Sequence, residues 1–90
     1  MQPEHTTRVY IDLYGMLRGS TGKKRHELWV ASALQEAVTD VKKYLNTITI
    51  SSTYILYIND TFVHSALKQH PNAVISEGDV FKVIPIVAGG

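Results

Sequence analysis

The sequence predicts an α+β domain in which one main helix lies on one face of a mixed sheet of four to five strands. Three observations predict it. Residues 8–14 and 26–30 alternate apolar and polar side chains around a glycine-rich turn, which reads as a β-hairpin. A stripe of helical period follows over residues 32–46. Two more strand-like runs, 54–58 and 80–84, come after that helix. A helix placed between an early hairpin and late strands argues against a plain antiparallel meander. The simplest packing lays it across the sheet and sets the last strand parallel to the first, which is a β-grasp plan.

Each element has its reason. Residues 1–7 are polar, carry Pro3 and read as a flexible leader; residues 8–87 are the domain and 88–90 an extended tail. In the first strand Val9, Ile11 and Leu13 share one face, and Tyr10, Asp12 and Tyr14 the other. Gly15 ends the strand or lets it bend. Residues 19–22 form a turn cluster, and Lys23, Lys24 and Arg25 an exposed basic run. In the second strand His26, Leu28 and Val30 oppose Glu27 and Trp29. Ser32 and Gln35 have the spacing of a capping box, Leu34, Ala37, Val38, Val41 and Leu45 form the apolar stripe, and Asn46 suits the stop. Residues 47–53 connect to the third strand, where Tyr54, Leu56 and Ile58 face one way and Ile55 and Tyr57 the other. Asn59-Asp60 is a turn, residues 61–63 a short return strand, and 64–73 irregular or one short helical turn. Residues 76–79 turn again. In the final strand Phe81 and Val83 point inward, Lys82 points to water, and Pro85, which lacks an N–H, should end regular pairing near Ile84.

Ninety residues make one domain with one modest core. The net charge of +1 points to neither nucleic acid nor an anionic membrane. The absence of cysteine removes disulfides, thiolate metal sites and a cysteine nucleophile. No run approaches the ~18 apolar residues of a membrane span, and the first residues have no signal-peptide character. His5, His26, His64 and His70 lack i, i+4 spacing and partners at ligand spacing, so no metal or other cofactor is expected. No paired nucleophile and base is recognisable, and the expectation is a protein without catalysis of its own.

Two features point to other proteins. The chain runs from an apolar strand into Gly89 and Gly90. Glycine lets such a tail extend and stay thin, so its last three or four residues reach about 12 Å from the domain. A tail of that kind can enter a partner enzyme, to be activated as an acyl-adenylate or to be cut. The second feature is the sheet face turned away from the helix. With Val9, Ile11, Leu13, Leu28, Val30, Leu56, Ile58, Phe81 and Val83 facing the helix, the other face holds Tyr10, Tyr14, Trp29, Ile55, Tyr57, Ile84 and Ile86. Tyr and Trp are favoured anchors at interfaces, so Tyr10, Tyr14, Trp29, Tyr57, Ile84 and Ile86 are the candidate partner-binding residues. The basic run 23–25 reads as a solvated turn, with an acidic partner patch as the alternative.

The order hairpin, helix, strand, turn, strand and Gly89-Gly90 resembles the ubiquitin-like β-grasp plan of the bacterial sulfur carriers. These are the MoaD/ThiS-like proteins, the small subunit of molybdopterin synthase and the thiazole-synthesis carrier. The most specific part is Gly78-Asp79 leading to Pro85-Ile86-Val87-Ala88-Gly89-Gly90. Ile86 stands where the molybdopterin type has a second proline, and Asp60 where it has glycine. Leu13-Tyr14-Gly15-Met16-Leu17, the stretch 22–28, Glu36-Ala37-Val38 and residues 83–89 also resemble tail assembly protein I of lambda-like phages, in its N-terminal ubiquitin-like domain. The phage resemblance leads. It implies a phage tail (tip) assembly protein binding other tail proteins, with Gly89-Gly90 as a processing point for a JAMM-type protease, in the host cytoplasm during virion assembly or in the virion tail. The alternative is a cytoplasmic sulfur carrier whose Gly90 carboxylate is adenylated by an activating enzyme and thiocarboxylated, working with a molybdopterin or thiazole synthase subunit. A third is a ubiquitin-like modifier joined to lysines through Gly90.

Overall fold

In the computed structural model, which describes residues 7–17, 22–48, 50 and 53–86, the elements run in the order the periodicities predict. They are β1 (Thr7–Leu13), β2 (Arg25–Val30), α1 (Leu34–Thr47), β3 (Tyr54–Ile58), β4 (Thr61–Phe62), α2 (Val63–Gln69) and β5 (Val80–Pro85). Residues 1–6 of the predicted leader, residues 19–21 of the predicted turn and the whole predicted tail 88–90 lie outside the described residues; β1 itself begins one residue earlier than the alternation suggested, at a buried Thr7.

The sheet order is β2-β1-β5-β3-β4, and the last strand enters the middle of the sheet. β5 runs parallel to β1, with Ile11 beside Phe81 and Leu13 beside Val83, and antiparallel to β3. This is the β-grasp fold, with five strands. Val9, Ile11, Leu13, Phe81 and Val83 are fully buried against the α1 stripe of Leu34, Ala37, Val38, Val41 and Leu45. Burying each such side chain contributes about 1.5–3 kcal/mol, so this layer carries most of the fold's stability.

Four local expectations are corrected. The capping box does not form: Ala33 is the N-cap residue, without a side-chain bond. Residues 73–75 run antiparallel beside Ser32–Leu34 instead, so that the Leu34 N–H donates to the Ala73 carbonyl and the Ile75 N–H to that of Ser32. The backbone thus satisfies the helix start, and Ser32 Oγ turns to Thr7 Oγ1, 3.0 Å away. Residues 63–69 form the two-turn α2, which begins at the expected strand end and extends the short helical turn that is one of the two readings of 64–73, because Val63, Ala66 and Leu67 have helical spacing and pack on the core. Arg25 belongs to β2 and not to the turn. Finally, pairing does not stop at Ile84. Tyr54 pairs with Pro85, and the Ile86 N–H donates to the Thr53 carbonyl at 3.1 Å. Val83 turns its carbonyl to β1, where it accepts from Tyr14, so by strand alternation the missing N–H of Pro85 also falls on that side. β1 has already turned away there at Gly15, and the proline costs the ladder nothing.

Candidate functional site

The face away from α1 is built in rows by the strand register. One row crosses the whole sheet: Arg25, Asp12, Lys82, Tyr57 and Phe62. Toward the β1–β2 turn lies the next row, with Tyr14 one residue past the paired Leu13, and Ile84 beside Ile55. Toward the other end come Glu27 beside Tyr10, then Trp29 beside Arg8. All six predicted partner residues lie on this face, but the structure does not bring them into one apolar patch. Tyr14, Ile84 and Ile86 gather where β5 leaves the sheet. Tyr10 and Trp29 lie along β1 and β2. Tyr57 joins a cluster with Phe62, whose ring is 5.9 Å from its own, and Phe62 in turn lies 5.8 Å from the His64 ring.

The charged row divides them. Arg25 grips Asp12 with both ends of a carboxylate–guanidinium fork, Nε to Oδ1 at 2.6 Å and Nη2 to Oδ2 at 2.9 Å. The same guanidinium lies over the Tyr10 ring, 4.9 Å from its centre. Asp12 is buried, and the Arg25 hydrogen bonds hold its carboxyl below the usual carboxylate range against the opposing effect of burial. Arg8 bridges Glu27 at 3.1 Å and Glu77 at 3.4 Å, and Lys82 reaches Asp60 at 3.3 Å. Sequence reasoning placed Asp12 and Lys82 outward but left these charges out of the site. The alternation that puts Tyr10 on this face puts Arg8 and Asp12 there too.

The root of the tail is held from both sides. Gly15 adopts φ +59°, a left-handed turn that lets β1 swing away, and a Cβ there would stand 3.1 Å from Pro85 Cγ. On the far side Thr53 binds Ile86. Ile86, at 46% exposure, is the last described residue before Gly89 and Gly90, which lie outside the described residues. Lys24 Nζ lies 5.9 Å from the centre of the Tyr14 ring beside this root.

Behind the sheet, His26 faces the helix. Its Nδ1 sits 2.7 Å from the Tyr44 hydroxyl, and burial, with a smaller push from the charge of Lys23, lowers its pKa. A shallow cleft of about 250 Å³ runs between α1, β3 and α2, lined by Lys42, Tyr54, Val63 and His64 among others, and burial pushes the Tyr54 phenol upward. Among the described residues no three His, Asp or Glu side chains gather as a metal site. No helix among them is long and apolar enough to cross a membrane.

Comparison with known proteins assigns the chain. Residues 11–90 match the model of the ThiS family. The chain belongs to that family. The small archaeal modifier protein 1 of Methanosarcina acetivorans is similar in structure, with a TM-score of 0.62 at 18% identity over 96% of this chain and 99% of that one. A putative molybdopterin converting factor subunit 1 from Pyrococcus furiosus gives 0.61 at 15% identity over 91% of this chain and 100% of its own. These two show the fold alone. A chain of the BexX/CysO complex of Amycolatopsis orientalis gives 0.59 at 25% identity, covering 91% of this chain and 99% of that one. No curated protein sequence matches. Nothing in these matches indicates a phage tail assembly protein, and the family match supports the carrier-or-modifier reading more than the phage one.

Proposed function

We propose that this protein is a sulfur carrier that performs no chemistry alone and presents the carboxyl group of Gly90 to an adenylating enzyme. That carboxyl group is free either as the natural end of the chain or after cleavage of a following segment. A Gly90 carboxylate oxygen attacks the α-phosphate of ATP and pyrophosphate leaves. A sulfur nucleophile then displaces AMP, and the resulting thiocarboxylate passes its sulfur to a substrate held by a partner such as a molybdopterin or thiazole synthase subunit, while water returns the Gly90 carboxylate. The family match, which runs through Gly89 and Gly90, is the observation that carries this reading. The geometry agrees with it: the strand before the tail is the central one, clamped by β1 and β3, so the tail leaves from a rigid base.

Intact mass after incubation with the adenylating enzyme of the same cell, ATP and a sulfur donor tests it. The chain ending at Gly90 gains the mass of sulfur replacing oxygen, and the form lacking Gly90 gains none. A chain that keeps its mass beside an enzyme shown to be active on another carrier sinks the proposal. Conjugates on target lysines would favour the modifier reading instead.

A further inference from the structure

We infer that the end of the domain from which the tail leaves is a docking surface for an acidic patch on the adenylating enzyme, with Lys24 as its principal charge. The inference rests on the carrier reading above and adds the chemistry of the partner surface. The near-zero net charge conceals a separation of charge along the strand axis. At the tail end stand Lys23, Lys24 and Arg25, and the only carboxylate among the described residues of this sheet end is Asp12, already held by Arg25. Lys24 is exposed and forms no ion pair among the described residues. At the far end the Asn59-Asp60 and Ser76–Asp79 turns meet, with the Asn59 amide donating to Asp79 Oδ1 and the Ser76 N–H to Asp79 Oδ2. Asp60, Glu77 and Asp79 stand there, opposed by Arg8 and by Lys82 reaching over from the centre of the sheet.

An acidic surface is therefore attracted at the end where the tail begins and repelled at the other. Such a field orients the approach, so that the partner meets the tail first. The tail end also offers apolar area for a dry contact: Ile86 is about half-exposed and Tyr14 and Ile84 half-buried, with Lys24 beside the Tyr14 ring. Apolar anchors with charge at the rim are the ordinary anatomy of a protein interface.

The test is binding of the chain to the immobilised adenylating enzyme without ATP, by surface plasmon resonance over a range of salt. Lys24→Glu should raise Kd roughly five- to tenfold, mainly through a slower association, and flatten the salt dependence, and Lys24→Met should fall between. Lys68→Glu, an equal charge reversal on α2, should leave both unchanged. Unaltered thermal unfolding confirms that the variants are folded. If Lys24→Glu binds as the wild type does, with the same salt slope, this inference fails while the carrier reading stands. If the wild type does not bind the enzyme at all, both fail.

Discussion

Asp12 and His26 sit one residue out of phase on paired strands, and each is tuned by its own side of the sheet. Asp12 faces outward into the Arg25 fork, and the hydrogen bonds from Arg25 lower its pKa. His26 faces inward toward Tyr44, and burial lowers its pKa. For both groups the unfolded chain binds a proton more readily than the folded one, so stability falls as pH falls. The His26 contribution is complete above the ordinary histidine range and is lost as pH drops through it. The Asp12 contribution is complete above the ordinary carboxylate range and is lost below it. Thermal unfolding from pH 8 to about 3 should therefore show Tm falling in two stages. His26→Gln should flatten the first and Asp12→Asn the second; a wild-type profile retained in either variant would contradict the assignment. The period-two pattern showed which face each residue takes. It could not show that Arg25, far along the chain, arrives opposite Asp12, because that is set by hairpin register.

Among the elements, the junction of β1 with β5 governs how the tail is presented. Gly15 serves both strands, turning β1 at positive φ and leaving room for Pro85. Gly15→Ala places a Cβ in a conformation that costs about 1–2 kcal/mol and presses it on the proline ring. The expected result is a lower Tm and slower activation of Gly90; unchanged values for both would mean that Pro85 moves aside freely. The glycine was legible in the sequence as a bend, but its second role was not, since the parallel placement of β5 creates the contact. The capping box failed for a related reason: Ser32 had the right spacing, yet the chain at 73–75 supplied backbone partners that no local pattern announces. The α2 helix was half legible: a short helical turn is one of two readings of 64–73, and Val63, Ala66 and Leu67 carry the period that extends it to two turns.

For the whole molecule, core and outer face should respond differently to truncation. Phe81 is fully buried at the crossing of β1, β5 and β3, beside Ile11 and Ile58. Phe81→Ala should cost about 3–5 kcal/mol, a large share of what a domain this small has available. Trp29, at 53% exposure on an edge strand, should tolerate Trp29→Ala within about 0.5 kcal/mol while weakening any partner that uses this face. Urea unfolding of the two variants decides it. A Trp29→Ala protein as damaged as Phe81→Ala would place that indole in the core.

The strands, the main helix, the residues they bury, the β-grasp order and the run into Gly89-Gly90 are all legible along the chain. These follow from periodicity and turn chemistry, which act over a few residues. Which side chains on the outer face become neighbours is set by the folding of the sheet. Inserting β5 between β1 and β3 laid Lys82 between Asp12 and Tyr57, split the aromatic residues with a charged row, and carried the basic run to the root of the tail. Those contacts join residues far apart in the chain, and strand register, a property of the folded sheet as a whole, is what brings them together.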